Sequence, residues 1–266
     1  MEIIGYIASL FIGISLGLIG GGGSILTVPV LVYLTGIQPV VATAYSLFIV
    51  GLTSLIGGIN YYRKNLVSLK MAVIFGVPSI AAVYSVRKFV VPAIPDNIFT
   101  IGNFVMTKNI SVMVLFAVLM IAASISMIKS KECVDCPKEA SNVKFNYSLI
   151  LLEGIIVGSL TGLVGAGGGF LIIPALVLLG KLDMKLAVGT SLFIIAAKSL
   201  IGFLGDLGHL EIDWKFLFIF SALSVAGIFI GSFLATKVEA QKLKKAFGWF
   251  VLAMGIFILG KELFML

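Results

Sequence analysis

Apolar positions dominate the chain in long runs, separated by short polar intervals. The runs cover Ile3–Leu34, Pro39–Tyr62, Leu69–Val86, Ile110–Ile128, Leu149–Gly180, Leu186–Gly205, Phe216–Thr236 and Ala246–Gly260. Glu153 and Lys198 are the charges that lie well inside them. A helix crosses the hydrocarbon core of a bilayer with about 20 such residues. Most of the runs fit that length, but the first and fifth are too long for one helix and too short for two. Each is broken by a glycine cluster, Gly20-Gly21-Gly22-Gly23 in the first and Gly165-Ala166-Gly167-Gly168-Gly169 in the fifth. Glycine costs about 1 kcal/mol per residue in a helix relative to alanine. The clusters therefore predict an opened backbone, each followed by a short helical run closed by Pro29 or Pro174.

The two breaks are copies of each other. Gly17–Pro29 (GLIGGGGSILTVP) matches Gly162–Pro174 (GLVGAGGGFLIIP), an offset of 145 residues. The same offset carries Ser46-Leu47-Phe48-Ile49 onto Ser191-Leu192-Phe193-Ile194, Ser54 onto Ser199, Gly57 onto Gly202 and Lys70 onto Lys215. One register satisfying every match predicts a duplicated unit. The organisation is thus a first membrane repeat over residues 1–128, a polar linker over 129–147 and a second membrane repeat over 148–266.

Basic residues separate two ways of threading this pattern. Eight simple crossings divide Lys and Arg nine against nine. If each broken stretch instead enters and leaves on one side, each half has three full crossings and the halves are inverted. The intervals around Arg63–Lys70, Lys129–Lys144, Lys181/Lys185 and Lys237–Lys245 then share a side and hold thirteen basic residues, against five opposite. Arg87 and Lys88 fall among those five, at the start of a long outer loop ending at Asn109. Cytoplasmic loops carry the excess of Lys and Arg, which favours the second threading. The expected fold is an all-α integral membrane protein of two inverted repeats. Each repeat is a glycine-broken re-entrant helix pair plus three transmembrane helices, with both termini outside and the linker cytoplasmic.

Composition agrees and narrows the class. With 60% of 266 residues apolar and 12% charged, the chain departs far from a water-soluble domain. The formal charge of +7 lies in the intervals between apolar runs, as in membrane loops, so nucleic acid is not an expected partner. Two cysteines exclude a disulfide scaffold. The segment MEIIGYIASL carries Glu2 and no basic n-region, so no cleaved signal peptide is expected.

The glycine clusters are the main candidate site. Successive N–H groups pointing one way form an anion-binding concavity, and a helix beginning just after them adds its positive end. Gly20, Gly21, Gly22, Gly23 and Ser24 would meet Gly165, Gly167, Gly168 and Gly169 near the midplane. The alternative is that glycines only permit close helix crossing. The hydroxyls of Thr43, Ser46, Thr190 and Ser191 sit inside apolar runs and can donate to an oxyanion, or bond the carbonyls of their own helix. Lys198 stands out, because a lysine inside a span usually faces a partner or a cavity. It either holds the anion or pairs with Glu153; its repeat equivalent is the neutral Thr53. Glu153 and Asp206 are candidates for ion or proton coupling, although Asp206 also reads as an ordinary loop residue. Cys133-Val134-Asp135-Cys136 is half a tetrahedral metal site or a redox pair, or simply a reduced pair in the linker.

Gly17–Pro29 with Ala42–Phe48, and Gly162–Pro174 with Ala187–Phe193, resemble the TauE/SafE-type sulfite and organosulfonate exporters, the 4-toluene sulfonate uptake permease family. The resemblance covers essentially the whole chain and implies a prokaryotic inner-membrane protein moving sulfite, thiosulfate or sulfonates. The Cys133/Cys136 linker is a departure from the family pattern. The expected function is a secondary transporter of a small sulfur-containing anion by alternating access, not an enzyme and without a cofactor. No GxxxxGK[ST] pattern for ATP is present, so an ion or proton gradient would drive it. The bilayer and the anion are the expected partners, and a homo-oligomer stays open. A passive channel shares the same architecture, and a thiol-redox membrane protein using Cys133 and Cys136 is a further alternative.

Overall fold

Where the glycine runs occur, the chain changes its helical type. In a computed structural model describing residues 2–101, 104–129, 147–178, 180, 182–234 and 240–264, α1 (Glu2–Ile19) gives way to a 3-10 segment at Gly20–Leu26 and then to α2 (Thr27–Tyr33). The first cluster therefore ends α1, as its four glycines predict, and leads into α2 through tight 3-10 turns. Gly20 takes a positive φ, at +71°. The second cluster behaves differently. Between α7 (Tyr147–Val164) and α8 (Gly169–Leu178), Gly165, Gly167 and Gly168 take φ of +70°, +65° and +73°, a left-handed turn that residues with a Cβ rarely make. Neither proline closes its helix. Pro29 falls in the first turn of α2, where its missing N–H would have no intrahelical partner, and Pro174 lies inside α8 at the loss of one hydrogen bond.

The other helices are α3 (Pro39–Arg63), α4 (Leu69–Ser85), α6 (Lys108–Lys129), α9 (Met184–Leu204), α10 (Trp214–Leu234) and α11 (Ala240–Phe264). A π-turn at Val86–Val90 continues α4 into the short α5 (Val91–Ala93). Among the described residues six spans are long and apolar enough to cross a membrane: α3, α4 with α5, α6, α9, α10 and α11. The Arg87–Asn109 interval is more than a loop. Its β-branched and aromatic residues form an antiparallel hairpin, β1 (Asn97–Ile101) with β2 (Phe104–Thr107).

Packing exchanges elements between the halves. α1 packs on α10 and its repeat counterpart α7 packs on α4; α3 packs on α9, and α6 on α11. Glycine makes the first of these pairs close. A Cβ on Gly13 would lie 3.0 Å from the Gly227 Cα, and one on Gly231 2.9 Å from the Ile14 Cα. Gly158 and Gly162, 145 residues after Gly13 and Gly17, lie against Ser79 and Val83 of α4 in the same way. Backbones approach this closely only across small residues, the usual interface of helices in lipid.

Both broken segments turn back. Gly5 near the start of α1 touches Thr35 just after α2. In the second half, Ile150 of α7 and Leu176 and Leu182 after the turn share one cluster with Met71. The outward face carries large apolar side chains, among them Phe11, Phe89, Phe229, Phe233, Trp249 and Phe257, all more than half exposed. Such a surface is stable against acyl chains and not against water.

Candidate functional site

The site is built where the two glycine segments meet. A Cβ on Gly21 would lie 2.5 Å from the Gly169 Cα and one on Gly167 3.3 Å from the Ser24 Cβ, so the segments touch backbone to backbone. They are unequal as anion cradles. In the first, N–H groups are engaged by 3-10 bonding and the Ser24 hydroxyl donates to the Gly21 carbonyl at 2.7 Å. In the second, the N–H groups of Ala166 and Gly167 donate to no backbone carbonyl among the described residues. The left-handed turn and the start of α8 thus offer free donors of the kind an anion takes.

Lys198 completes that turn. It is fully buried in α9. Its ammonium donates to the Thr161 hydroxyl of α7 at 2.9 Å, and a Cβ on Gly168 would lie 2.8 Å from its Nζ. Pairing with Glu153 does not occur. Glu153 sits two turns back along α7, half-buried, its Oε2 without a partner among the described residues. Among the described residues this ammonium is bonded only to a hydroxyl and has no compensating charge, which is costly at membrane depth.

The hydroxyls divide. Thr43 and Ser191 donate to Val40 and Val188 carbonyls of their own helices, at 2.6 and 2.8 Å, so their single protons are engaged. The Thr190 hydroxyl accepts from the Ser68 N–H at 2.9 Å, which places it at the α3–α4 turn and away from the glycine contact. Ser46 is buried with no partner for its hydroxyl among the described residues.

A second charged cluster was not foreseen. Arg87, expected in the outer loop, is fully buried, because the π-turn rotates it inward while Lys88 stays exposed. Its Nη1 donates to Thr43 Oγ1 at 3.0 Å and stands 3.4 Å from Asp206 Oδ2. Asp206 is therefore no ordinary loop residue: it is 3% exposed. Burial holds its carboxyl above the ordinary carboxylate range, against the opposing pull of Arg87. Thr43 in turn lies against the second glycine turn, its Cα 2.5 Å from where a Gly165 Cβ would be. The sequence offered no signal for this pair, since Arg87 and Asp206 come from different halves and do not match across the repeat. Cys133 and Cys136 lie outside the described residues.

Residues 6–258 match the model of the family described as "Sulfite exporter TauE/SafE". The chain belongs to this family. A "Probable membrane transporter protein" of Xylella fastidiosa is 29% identical over 254 residues, covering 94% of this chain and 92% of that protein. "Probable membrane transporter protein YunE" of Bacillus subtilis is 27% identical over 237 residues, 84% of this chain and 83% of its own. No solved structure matches. The TauE/SafE chain is thus a multi-pass membrane protein of a transporter family, with a buried cation beside a left-handed glycine turn.

Proposed function

We propose that this TauE/SafE protein is a secondary transporter of a small sulfur-containing oxyanion, such as sulfite, thiosulfate or an organosulfonate, across the prokaryotic inner membrane. The observation that carries it is Lys198, fully buried, with a single hydroxyl partner among the described residues, and set against the Gly165–Gly169 turn. An oxyanion there receives N–H groups from Ala166 and Gly167 and a full positive charge from Lys198. Its binding offsets the cost of the buried ammonium, so the site selects anions over neutral solutes.

Transport then follows from two halves built around one site. The returning broken segments leave three crossings in each half, an odd number, which supports inverted repeats and alternating access around the glycine contact. In this arrangement the linker is cytoplasmic and both termini are outside. The drive is a proton or ion gradient, and the chain performs no chemistry on its solute.

The test is flux in liposomes reconstituted with the purified protein. Radiolabelled sulfite or thiosulfate should accumulate against its own gradient when a proton or sodium gradient is imposed, and the rate should saturate. Flux that only runs downhill and never saturates would make the protein a channel. Absence of flux for sulfite, thiosulfate and sulfoacetate alike would overturn the proposal.

A further inference from the structure

We infer that Arg87 is a second anion-binding residue on the path, with Asp206 competing against the anion for its guanidinium; the inference rests on the transport function proposed above. A buried arginine normally spends its planar fork on a carboxylate in two parallel bonds. Arg87 does not. Both of its partners, Thr43 and Asp206, are met by Nη1, the carboxylate only at 3.4–3.5 Å. Nε and Nη2, the edge that binds two oxygens at once, have no partner among the described residues, though the side chain is fully buried. Two unpaired donors on a buried cation are costly, and an oxyanion satisfies both with matching geometry.

The position suits a way-station. Thr43 joins Arg87 to the Gly165 end of the turn, and Lys198 adjoins its Gly168 end. A cavity of about 420 Å³ is lined by Gln38, Val40, Asp96, Lys108, Asn109 and Leu210, among others. Val40 accepts the Thr43 hydroxyl proton, and Leu210 lies four residues beyond Asp206. Thr43 therefore links Arg87 both to the glycine turn and to the turn of α3 that lines this cavity. An anion moving between them would meet the unpaired edge of Arg87, where the Asp206 carboxylate repels it and holds Nη1.

Sulfite, thiosulfate and sulfoacetate titrated calorimetrically into the full-length protein in lipid-free detergent test this. Arg87→Lys keeps the charge and loses the fork, so affinity for the best-bound of the three should fall about tenfold or more. Asp206→Asn removes the competing charge and should tighten binding severalfold; an ion pair that serves only the fold predicts unchanged or weaker binding together with a lower Tm. Wild-type affinity in Arg87→Lys overturns the inference and leaves the transport function standing. If Arg87→Lys does not fold, Asp206→Asn decides, and unchanged or weaker binding there overturns it. Wild-type protein that binds none of the three anions overturns the transport proposal and this inference with it.

Discussion

Lys198 and Arg87 are both fully buried cations, yet only one could be recognised in the sequence. Lys198 lies well inside a long apolar run, so its cost in a membrane is evident from residue order alone. Arg87 is followed by Lys88, Pro92 and Pro95, a pattern that ordinarily ends a helix and begins a loop. Its burial depends on the π-turn, which carries the helix five residues further and turns the guanidinium inward. The partner hydroxyl Thr161 and the partner carboxylate Asp206 come from contacts between helices, which no local pattern encodes. At this scale the two cations make opposite demands. Lys198 has no counter-charge among the described residues, so its removal should relieve the protein while disabling it. Lys198→Met is expected to raise Tm in detergent, by replacing a buried charge with an apolar chain of similar length, and to abolish sulfite binding. A lower Tm with wild-type binding would show that Lys198 is a structural bond to Thr161 and nothing more.

At the scale of elements, glycine performs two tasks that composition cannot separate. The turn at Gly165–Gly168 uses left-handed φ, whereas Gly13, Gly17, Gly227 and Gly231 are helical and serve the α1–α10 contact. The spacing Gly13-x-x-x-Gly17 recurs at Gly158-x-x-x-Gly162, and in both cases the partners come from the opposite half. The 3-10 form of Gly20–Leu26 was hidden for a related reason. Propensity penalises four glycines in a helix, but Gly21 is held by the Gly169 backbone and Ser24 closes onto Gly21. Close packing overrides propensity there. A side chain placed between α1 and α10 should force the helices apart. Gly227→Val is expected to cost about 1–3 kcal/mol, read as a clear fall in Tm. Gly260→Ala in α11, where nothing lies within 4 Å of the added Cβ, should be neutral or stabilise by up to about 1 kcal/mol. Equal effects of the two would remove the close-packing account.

For the whole molecule, a duplicated motif and a charge bias were readable because they are properties of the chain as a line. The exchange of helices between halves was not, since α1 packs on α10 and α7 on α4 at separations that no window spans. Threading also has a consequence that can be measured. Lys64, after α3, and Glu211, between α9 and α10, are both exposed. If the two broken stretches were full crossings, an even number of spans would precede each residue and both would face one side. With the broken stretches turning back, one crossing precedes Lys64 and four precede Glu211, so the two face opposite sides. Lys64 belongs to the thirteen-residue basic set and is then cytoplasmic. In a chain with Cys133→Ser and Cys136→Ser, Glu211→Cys should react with a membrane-impermeant maleimide on intact cells. Lys64→Cys should react only after permeabilisation. Labelling of both positions from the same side would remove the inverted arrangement. A single site reached alternately from two sides would lose its structural basis with it.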